Sequence, residues 1–362
     1  MTTKTILVDA REFVPSGKTG IGRFLEGILL NLAEADLDIH ILLAATHKNS
    51  VPSRLQEKKR VHTEILSAGF ISSEKELSDL SGQGAALFLS PYPKLPLFGT
   101  KCQSLNTVHD VVDLTHLEYR GRLKVTLDRF RLRRALMQAS LTWYVSQWSL
   151  KETERCIGFV GKNPKVRHSA IDDRFKIDKA DNEDVIFKKY LLRAGYILVI
   201  GNGLPHKNLG VLLELTPQLP KDLVFVGVPE QNMKYWLSRY NDARPKWIQD
   251  VPDADLPAII RGAFCLVQPS TAEGYGFPPL EAMACGVPAV VSDIPALRET
   301  TGGNALYADP SDPKEWIEAI GSLEINGNYR HQLEKGLKWV EPILGKKGWN
   351  KHISDIQQLL DL

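Results

Sequence analysis

FCLVQPSTAEGYGFPPLEAMACGVPAVVSD, residues 264–293, contains one complete strand-loop-helix-strand unit. FCLVQPS (264–270) and PAVVSD (288–293) are short apolar runs of the kind that forms buried strands, and a loop and a helical stretch separate them. Runs that are apolar almost throughout are typical of parallel strands covered on both faces. Because such units repeat along the chain, the sequence predicts an α/β fold of two doubly wound, Rossmann-like domains.

The predicted strands form two series along the 362 residues. The first comprises residues 5–10, 39–45, 86–92, 105–110, 141–146 and 165–171, and the second comprises 196–202, 223–228, 246–251, 264–270, 288–293 and 304–309. A charged segment at about 172–194 separates them. We expect domains over 1–175 and 176–345, and a closing amphipathic helix over 346–362 that packs back toward the N-terminal domain.

The composition argues against several classes of protein. A net charge of +2 gives no field that favours nucleic acid. The four cysteines (Cys102, Cys156, Cys265, Cys285) have no CxxC spacing, which predicts free thiols in a reducing compartment. The N-terminal apolar run fits a strand better than a signal peptide, and no run approaches the ~18–20 residues of a spanning helix. We therefore expect a cytoplasmic protein that binds no nucleic acid.

Two glutamates, Glu273 and Glu281, bracket the loop in the quoted unit. Taken alone, Glu281 fits the third position of a helix that begins at Pro279, where a carboxylate caps exposed amides. The loop nevertheless follows a parallel strand, and ligands bind at the carboxyl ends of such strands. Gly274 and Gly276 allow close approach of the backbone to a ligand, and amides at a helix start suit a diphosphate. Since each carboxylate accepts two hydrogen bonds from vicinal hydroxyls, the pair fits a nucleotide sugar.

The turn GNGLPHKNLG (201–210) follows the first strand of the second series. It brings Lys207 to the same edge of the predicted sheet as Glu273. Taken alone, a lysine in a turn is expected to be exposed to solvent and to have no function. Because the predicted diphosphate site lies at the same sheet edge, we interpret Lys207 as a phosphate-binding residue.

These segments resemble a known family. EGYGFPPLEAMACGVPAVVSDIPALRE (273–299) is similar to the signature of the retaining glycosyltransferases of family 4, whose E-x7-E motif matches Glu273 and Glu281. The resemblance extends to GKTGIGRFLEGIL (17–29), VSQWSLKE (145–152), KVRHSAIDDRF (165–175), GNGLPHKNL (201–209) and DLPAIIRGAFCLVQPS (255–270). It implies the GT-B fold, in which an acceptor-side domain and a donor-nucleotide domain face a central cleft. The PHKN and EGYGFPPLE forms resemble mannosyltransferase-like members.

The resemblance also implies roles for individual residues. Glu281 would hold the donor ribose, Glu273 would lie beside the donor sugar, and Lys207 would neutralise the diphosphate. His109 and Asp110 resemble a His-Asp pair near the reacting sugar, and Gly20 to Arg23 resemble a glycine-rich loop facing the diphosphate across the cleft. The implied catalytic residues are His109, Lys207 and Glu273; the donor-binding residues are Gly20, Gly22, Arg23, Asn202, Lys207, Glu273, Gly274, Tyr275, Gly276, Phe277 and Glu281; and the acceptor-side residues are Asp110 and Tyr92.

This family often has an arginine shortly before the lysine of the turn, and here Asn202, Gly203 and Leu204 occupy that stretch. We expect another cation, with Arg23 as the candidate, to replace it. No residue is implied as a covalent nucleophile, so the expected reaction is retaining attack on the face that the phosphate leaves, with no cofactor and no metal.

Other readings remain open at this point. The donor expected by analogy is GDP-mannose, with UDP-sugars as the alternative, and the acceptor is a glycan or lipid-linked saccharide hydroxyl in the assembly of a cell-surface polysaccharide. A GT-B-fold sugar-nucleotide epimerase and a catalytically silent nucleotide-sugar binding protein are the alternative functions. The basic stretch 120–134 is expected to be the solvated face of a helix packed through two apolar faces, and peripheral membrane contact is its alternative.

Overall fold

The structure is a computed structural model that describes residues 3–14, 19–115, 121–179 and 183–361. The chain forms two compact units: unit 1 comprises Met1–Ala170 and Gly345–Leu362, and unit 2 comprises Ile171–Leu344. The first division falls earlier than the predicted 175/176, because the Ile171 N–H donates to the Ile343 carbonyl and ties that segment to the end of unit 2.

Unit 1 contains a parallel sheet with the strand order β3-β2-β1-β4-β5-β6-β7. Its strands are β1 (Lys4–Asp9), β2 (Ile39–Ala45), β3 (Val61–Ile65), β4 (Ala85–Ser90), β5 (Gln103–Val108), β6 (Leu141–Tyr144) and β7 (Pro164–Val166). Its first helices are α1 (Gly20–Glu34), α2 (Ser53–Gln56), α3 (Phe70–Leu80), α4 (Val112–Thr115), α5 (Arg122–Gln138) and α6 (Gln147–Ile157). Parallel strands need crossover connections, and these helices supply them and cover the sheet.

The edge strand β3 is absent from the sequence prediction. Its sequence, VHTEI, has a single buried residue, Val61, at its start. The strand pairs on one side only, with β2, and its exposed polar residues lack the apolar run that marks the inner strands. The other predicted strands are present, with ends that shift by a few residues.

Unit 2 contains a second parallel sheet with the order β10-β9-β8-β11-β12-β13. Its strands are β8 (Tyr196–Ile200), β9 (Leu223–Val226), β10 (Lys246–Ile248), β11 (Ala263–Gln268), β12 (Ala289–Ser292) and β13 (Leu306–Ala308). Its helices are α7 (Glu183–Lys189), α8 (Leu209–Leu215), α9 (Glu230–Leu237), α10 (Leu256–Arg261), α11 (Phe277–Ala284), α12 (Pro295–Thr301), α13 (Pro313–Ser322) and α14 (Asn328–Val340). The helix α7 lies in the charged segment, at about 172–194, that separates the two series of predicted strands.

The last helix, α15 (Gly345–Leu359), belongs to unit 1. The buried carboxylate of Asp355 accepts hydrogen bonds from the Trp143 indole at 2.9 Å, from Lys165 at 2.8 Å and from Arg167 at 2.7 and 2.9 Å. A carboxylate this buried is stable only when it is paired, and these donors on β6, β7 and the residue after it supply the pairing. They fix α15 on unit 1.

The helix α5 also differs from its prediction. Val125, Leu132 and Leu136 lie in the core of unit 1, whereas the second apolar face does not pack. Leu123 on that face is 89% exposed and Phe130 is 64% exposed. The expectation that both apolar faces are packed is therefore wrong for this one. Arg120, the first residue of the basic stretch, lies outside the described residues, as do residues 17 and 18 of the first glycine-rich segment.

Candidate active site

The candidate site in unit 2 lies where the order of the strands reverses. In sequence, β9 and β10 extend the sheet on one side of β8, and β11 to β13 extend it on the other. Loops at such a switch point diverge and leave a crevice at the carboxyl ends of the strands, where doubly wound folds bind ligands. The turn after β8 carries Lys207, and the loop after β11 carries Glu273. The backbones of these two loops contact each other, since the Thr271 N–H donates to the His206 carbonyl at 2.8 Å.

Lys207 and Glu273 form an ion pair in this crevice. Lys207 Nζ lies 2.6 Å from Glu273 Oε1, and the buried amide of Gln268, the last residue of β11, donates to the same oxygen at 2.6 Å. The side chains of Lys207 and Glu273 are 21% and 10% exposed, so the pair is largely removed from water and still reachable from it. The contact fixes the position of the Lys207 ammonium.

The ionisation of Glu273 follows from its neighbours. Burial alone would raise the pKa of this carboxyl group, but the Lys207 ammonium, with Ser270 and His206, holds the pKa below its usual value. Glu273 is therefore an anion at neutral pH. Its chemistry is that of a hydrogen-bond acceptor and a partner for a cation, and it is not poised as a proton donor.

The loop between the two glutamates is held by its own packing. Gly276 has φ +99°, a left-handed conformation, and a Cβ there would lie 2.6 Å from Leu297 Cδ2. The Tyr275 carbonyl accepts from Thr300 Oγ1 at 2.5 Å, and the Tyr275 ring packs edge-on to Phe277 with centroids 5.4 Å apart. The loop is thus fixed before any ligand arrives.

The helix after this loop starts earlier than predicted. α11 begins at Phe277, with Gly276 as its N-cap, instead of beginning at Pro279. The two prolines lie in the first turn, where backbone N–H groups have no partner within the helix, so their missing N–H groups cost no hydrogen bond there. Glu281 therefore lies beyond the third position, and the capping role considered for it is wrong. It is 2% exposed, among the buried residues of α11.

Asn202, predicted to contact the donor, stabilises its own turn. Its side-chain oxygen accepts from the Leu204 N–H at 3.2 Å, and its carbonyl accepts from the side-chain amide of Asn232 at 2.7 Å. The buried Gly203 between them has φ +65°, and a Cβ there would lie 2.7 Å from Val228 Cγ1. The turn that presents Lys207 therefore depends on this glycine.

In unit 1, His109 directly follows β5. Its Nε2 lies 3.1 Å from the Pro91 carbonyl, and its ring packs edge-on to Phe24 with centroids 5.0 Å apart. Since a carbonyl only accepts, Nε2 carries the proton and Nδ1 is the acceptor nitrogen. Burial lowers the pKa of His109 to about 4, so the imidazole is neutral at physiological pH.

The other unit 1 residues lie at nearby strand ends. Tyr92 follows β4, the strand that pairs with β1 at the switch point of this sheet. Burial of the Tyr92 hydroxyl raises its pKa, and the negative charges of Asp9 and Glu12 raise it further. Asp110 is exposed and accepts from the Val112 N–H at 3.1 Å, which caps the short helix α4.

Gly20 to Arg23 are not a loop. They form the first turn of α1, and the N-cap Thr19 accepts from the Gly22 N–H at 3.0 Å. Prediction failed here because the glycines suggested a loop, whereas a threonine cap followed by an apolar run at helical spacing is a helix start. The predicted donor contact now falls at a helix N-terminus, with Arg23 half-buried in the first turn.

Two groups near these residues were missed from sequence. Gln268 is one of them, and its position as the last residue of β11 could have indicated that it lies at the site. The second is a buried network after β1, in which Arg11 binds Asp9 at 2.7 Å and Glu74 at 2.9 Å. Glu74 also accepts from the Leu97 N–H at 2.7 Å, so the network fixes the end of β1 to α3 and to a loop after β4.

The described residues contain no cluster of three or more histidine, cysteine or acidic side chains placed to hold a metal. Asp-x-Asp triplets do occur in the sequence, at 36–38 and 253–255. In the second triplet, Asp255 accepts from Lys189 at 2.6 Å and from the Tyr190 hydroxyl at 2.7 Å, and Asp253 lies 3.6 Å from Arg174. These carboxylates serve the local structure of unit 2.

Part of the chain is similar to known proteins. Residues 182–338 match the family model described as Glycosyl transferases group 1. O-antigen chain mannosyltransferase B of Escherichia coli is 32% identical over 231 residues, covering 61% of this chain and 60% of the relative. O-antigen chain mannosyltransferase RfbU of Salmonella typhimurium is 29% identical over 170 residues, covering 41% and 43%. The chain thus spans less than two thirds of the length of either relative.

A solved structure extends the comparison to the whole chain. Sucrose-phosphate synthase from Thermosynechococcus elongatus has a TM-score of 0.79 at 18% identity and covers 99% of this chain and 98% of its own. Identity this low shows the fold alone. The predicted fold, two Rossmann-like parallel sheets of the GT-B type, and the resemblance to mannosyltransferase-like glycosyltransferases are confirmed.

Proposed function

We propose, on the premise that the chain carries a glycosyl transferases group 1 domain, that it transfers a sugar from a nucleoside-diphosphate donor to a saccharide hydroxyl. The observation that carries the proposal is the Lys207–Glu273 pair at the switch point of unit 2, beside a rigid glycine loop and a helix N-terminus. This arrangement offers one cation and several backbone amides to a diphosphate, and a carboxylate to sugar hydroxyls.

In this proposal the ammonium of Lys207 works on the leaving group. As the bond between the sugar and the phosphate breaks, negative charge builds up on the departing diphosphate, and a cation that is already oriented stabilises it without reorganisation. Glu273 holds the lysine in place and accepts from donor sugar hydroxyls, and Glu281 accepts from the ribose. His109, neutral and with Nε2 directed at the Pro91 carbonyl, serves the reacting sugar from unit 1.

We propose mannose as the sugar and GDP as its carrier. The names of the two relatives support mannose, and their role in O-antigen chains supports an acceptor in the assembly of a cell-surface polysaccharide. The remaining proposals are retention of the anomeric configuration, independence of metal, an acceptor-side role for Tyr92 and Asp110, and action in the cytoplasm. None of the described helices is long and apolar enough to cross a membrane.

The test is a donor and acceptor assay with the purified chain. Thermal unfolding is followed with GDP-mannose, GDP, UDP-glucose and UDP, since a ligand at 100 times its Kd adds about 2.7 kcal/mol of stability. Transfer from GDP-mannose to a mannose-terminated oligosaccharide is then measured with and without a chelator, and the anomeric configuration of the product is read by NMR. An inverted product or loss of activity with the chelator would refute retention or metal independence, respectively.

The same assay separates the alternative functions. An epimerase would convert the nucleotide sugar into an isomer with no acceptor present. A silent binding protein would respond in the unfolding assay and produce neither transfer nor hydrolysis. A response to UDP compounds alone would leave the glycosyltransferase proposal in place and replace its donor.

A further inference from the structure

The side chain of Gln268 lies between the two ends of the loop in the candidate site. Its amide nitrogen donates to Glu273 Oε1 at 2.6 Å, and Lys207 Nζ lies 2.6 Å from the same oxygen. A Cβ placed on Gly276 would lie 3.7 Å from Gln268 Nε2, so the amide also faces the glycine that caps α11. One side chain of β11 thus binds the carboxylate and packs beside the start of the helix.

The charge of Glu273 fixes the direction in which this amide points. An ionised carboxylate accepts hydrogen bonds and donates none, so the nitrogen of Gln268 faces Glu273 and the oxygen faces away. That oxygen is buried and has no hydrogen-bond partner among the residues that the structure describes. A buried polar atom without a partner destabilises a fold and calls for an explanation. The contact with Glu273 is where we look for it.

The proposed sugar transfer gives Lys207 two partners. In the structure the ammonium pairs with Glu273, whereas during transfer it stabilises the negative charge on the diphosphate. Attraction to the diphosphate weakens its contact with Glu273, whose side chain is only 10% exposed. Burial then favours protonation of that carboxyl group, and a protonated carboxyl group is a poorer acceptor for sugar hydroxyls.

Within the described part of the chain, the groups that act on Glu273 come from two segments. The turn after β8 supplies Lys207 and His206, and β11 with the loop after it supplies Gln268 and Ser270. Lys207 has the diphosphate as a second partner, and the charge of His206 depends on protonation of its imidazole. The amide of Gln268 has no charge to lose. It can therefore donate to Glu273 both before and after Lys207 changes partner.

We propose that Gln268 is a positioning residue, which keeps Glu273 in place as a hydrogen-bond acceptor while Lys207 binds the leaving diphosphate. Gln268 contacts no substrate in this inference and acts through Glu273. The inference rests on the proposed sugar transfer, and the first part of its test uses the free protein, for which no donor is needed.

The first test measures the ionisation of Glu273 directly. Protein isotope-labelled at its glutamate carboxyl carbons is titrated by NMR, and the Glu273 signal is the one that the Glu273→Gln variant lacks. Lys207→Met removes the ammonium, and Gln268→Met is then added to that variant. We expect the second substitution to raise the Glu273 pKa by about one to two units, the contribution of a hydrogen bond to a charged group. The same Glu273 pKa with and without the amide would overturn the proposal.

The second test is the pH dependence of transfer in two single variants. Gln268→Met removes the N–H donor, so the acid limb of kcat/KM is expected to move up by about one pH unit. Gln268→Glu keeps the shape and places a second carboxyl group beside Glu273, where the two groups share one proton. The protonated group donates as the amide does, so this variant is expected to lose activity as pH rises. The two variants therefore depend on pH in opposite directions.

The matched control is Gln103→Met in unit 1. Gln103 is also a strand residue, and its amide donates to the Leu359 carbonyl at 3.0 Å, so the variant loses an amide of the same kind outside the candidate site. We expect it to keep the pH profile of the unaltered chain. If the Gln268 variants also kept that profile and only lowered kcat, Gln268 would have a structural role alone and the proposal would be wrong.

Failure of the proposed function gives a different result. An unaltered chain that transfers no sugar from any of the nucleotide sugars refutes the proposed transfer, and the role of Gln268 in it as well. A chain that transfers sugar, and whose Gln268 variants keep both the Glu273 pKa and the pH profile, refutes this inference alone.

Discussion

Lys207 is the residue whose charge the proposed chemistry uses most directly. Replacing it with methionine keeps the length of the side chain and removes the cation, so charge on the leaving diphosphate loses its stabilisation. We expect Lys207→Met to lower kcat by roughly 10²–10³, the loss typical of removing one preorganised donor to a developing anion. Steady-state kinetics with the donor that the unfolding assay selects measures the change in kcat. Lys221→Met, at a lysine that pairs with exposed Glu324, is the matched control and is expected to leave kcat unchanged.

Glu281 is expected to contribute to binding of the donor nucleotide and not to the rate of sugar transfer. The variant Glu281→Gln keeps the shape of a side chain that is 2% exposed and weakens the hydrogen bonds proposed to the ribose. A hydrogen bond to a charged group contributes about 1.5–3 kcal/mol, so Kd for the nucleotide should rise roughly 10- to 100-fold. Calorimetric titration with the free nucleoside diphosphate gives the value. An unchanged Kd with a normal unfolding transition would remove Glu281 from the donor site.

At the scale of elements, the contact between α1 and α15 leads us to expect that replacing a helical glycine by alanine lowers stability. An exposed glycine inside a helix is normally improved by alanine, by up to about 1 kcal/mol. At Gly27 in α1, however, a Cβ would lie 2.6 Å from Cζ2 of Trp349 on α15. We expect Gly27→Ala to destabilise the protein by about 1–3 kcal/mol, the typical cost of overpacking a rigid contact.

The control for this prediction is Gly321→Ala in α13. A Cβ at Gly321 meets no atom within 4 Å, so the substitution should be neutral or stabilising. Chemical denaturation of both variants gives the two free energies of unfolding. If both variants changed stability in the same direction, close packing of Trp349 on α1 would not be the determining contact.

At the scale of the whole molecule, two histidines whose rings are largely shielded from water, His109 and His352, make folding sensitive to acid. Burial lowers the pKa of His109 to about 4, and burial, followed by the charge of Arg167, lowers the pKa of His352 to about 3. Both therefore take up protons more readily in the unfolded chain, whose histidine pKa is about 6.5. Their contribution to stability is complete above that value and is lost as pH falls toward the folded values.

We expect the free energy of unfolding to fall by up to about 1.4 kcal/mol per pH unit for each of these groups below pH 6.5. The ring of His352 packs against the rings of Trp143, Phe24 and Trp349, so a phenylalanine ring can take its place without titrating. Urea denaturation between pH 7 and 5 should give a shallower slope for His352→Phe. The exposed His331→Phe serves as the control and should keep the original slope. A slope that is the same in all three proteins would contradict a buried, neutral His352.

A feature of this fold could be predicted from sequence when the residues that determine it are neighbours in the chain. Buried parallel strands and the loop of the E-x7-E stretch were predictable because runs of apolar residues, and glycines followed closely by prolines, determine the structure of their immediate neighbours. β3 was missed because an edge strand with one buried residue obtains its structure from β2. The ion pair of Lys207 with Glu273 was suggested by their common sheet edge, whereas the Arg11–Glu74 contact joins residues far apart in sequence and had no local signal.

The position of α15 has a consequence for the order in which the protein is made. A ribosome makes the strands and first helices of unit 1 before it begins unit 2, and the helix carrying Trp349 and Asp355 emerges after unit 2. Until then the nascent unit 1 exposes the indole of Trp143 and the ring of Phe24, and Lys165 and Arg167 lack their carboxylate partner. Unit 1 is begun before unit 2 and completed after it, so its uncovered face is open to chaperones while unit 2 is being made.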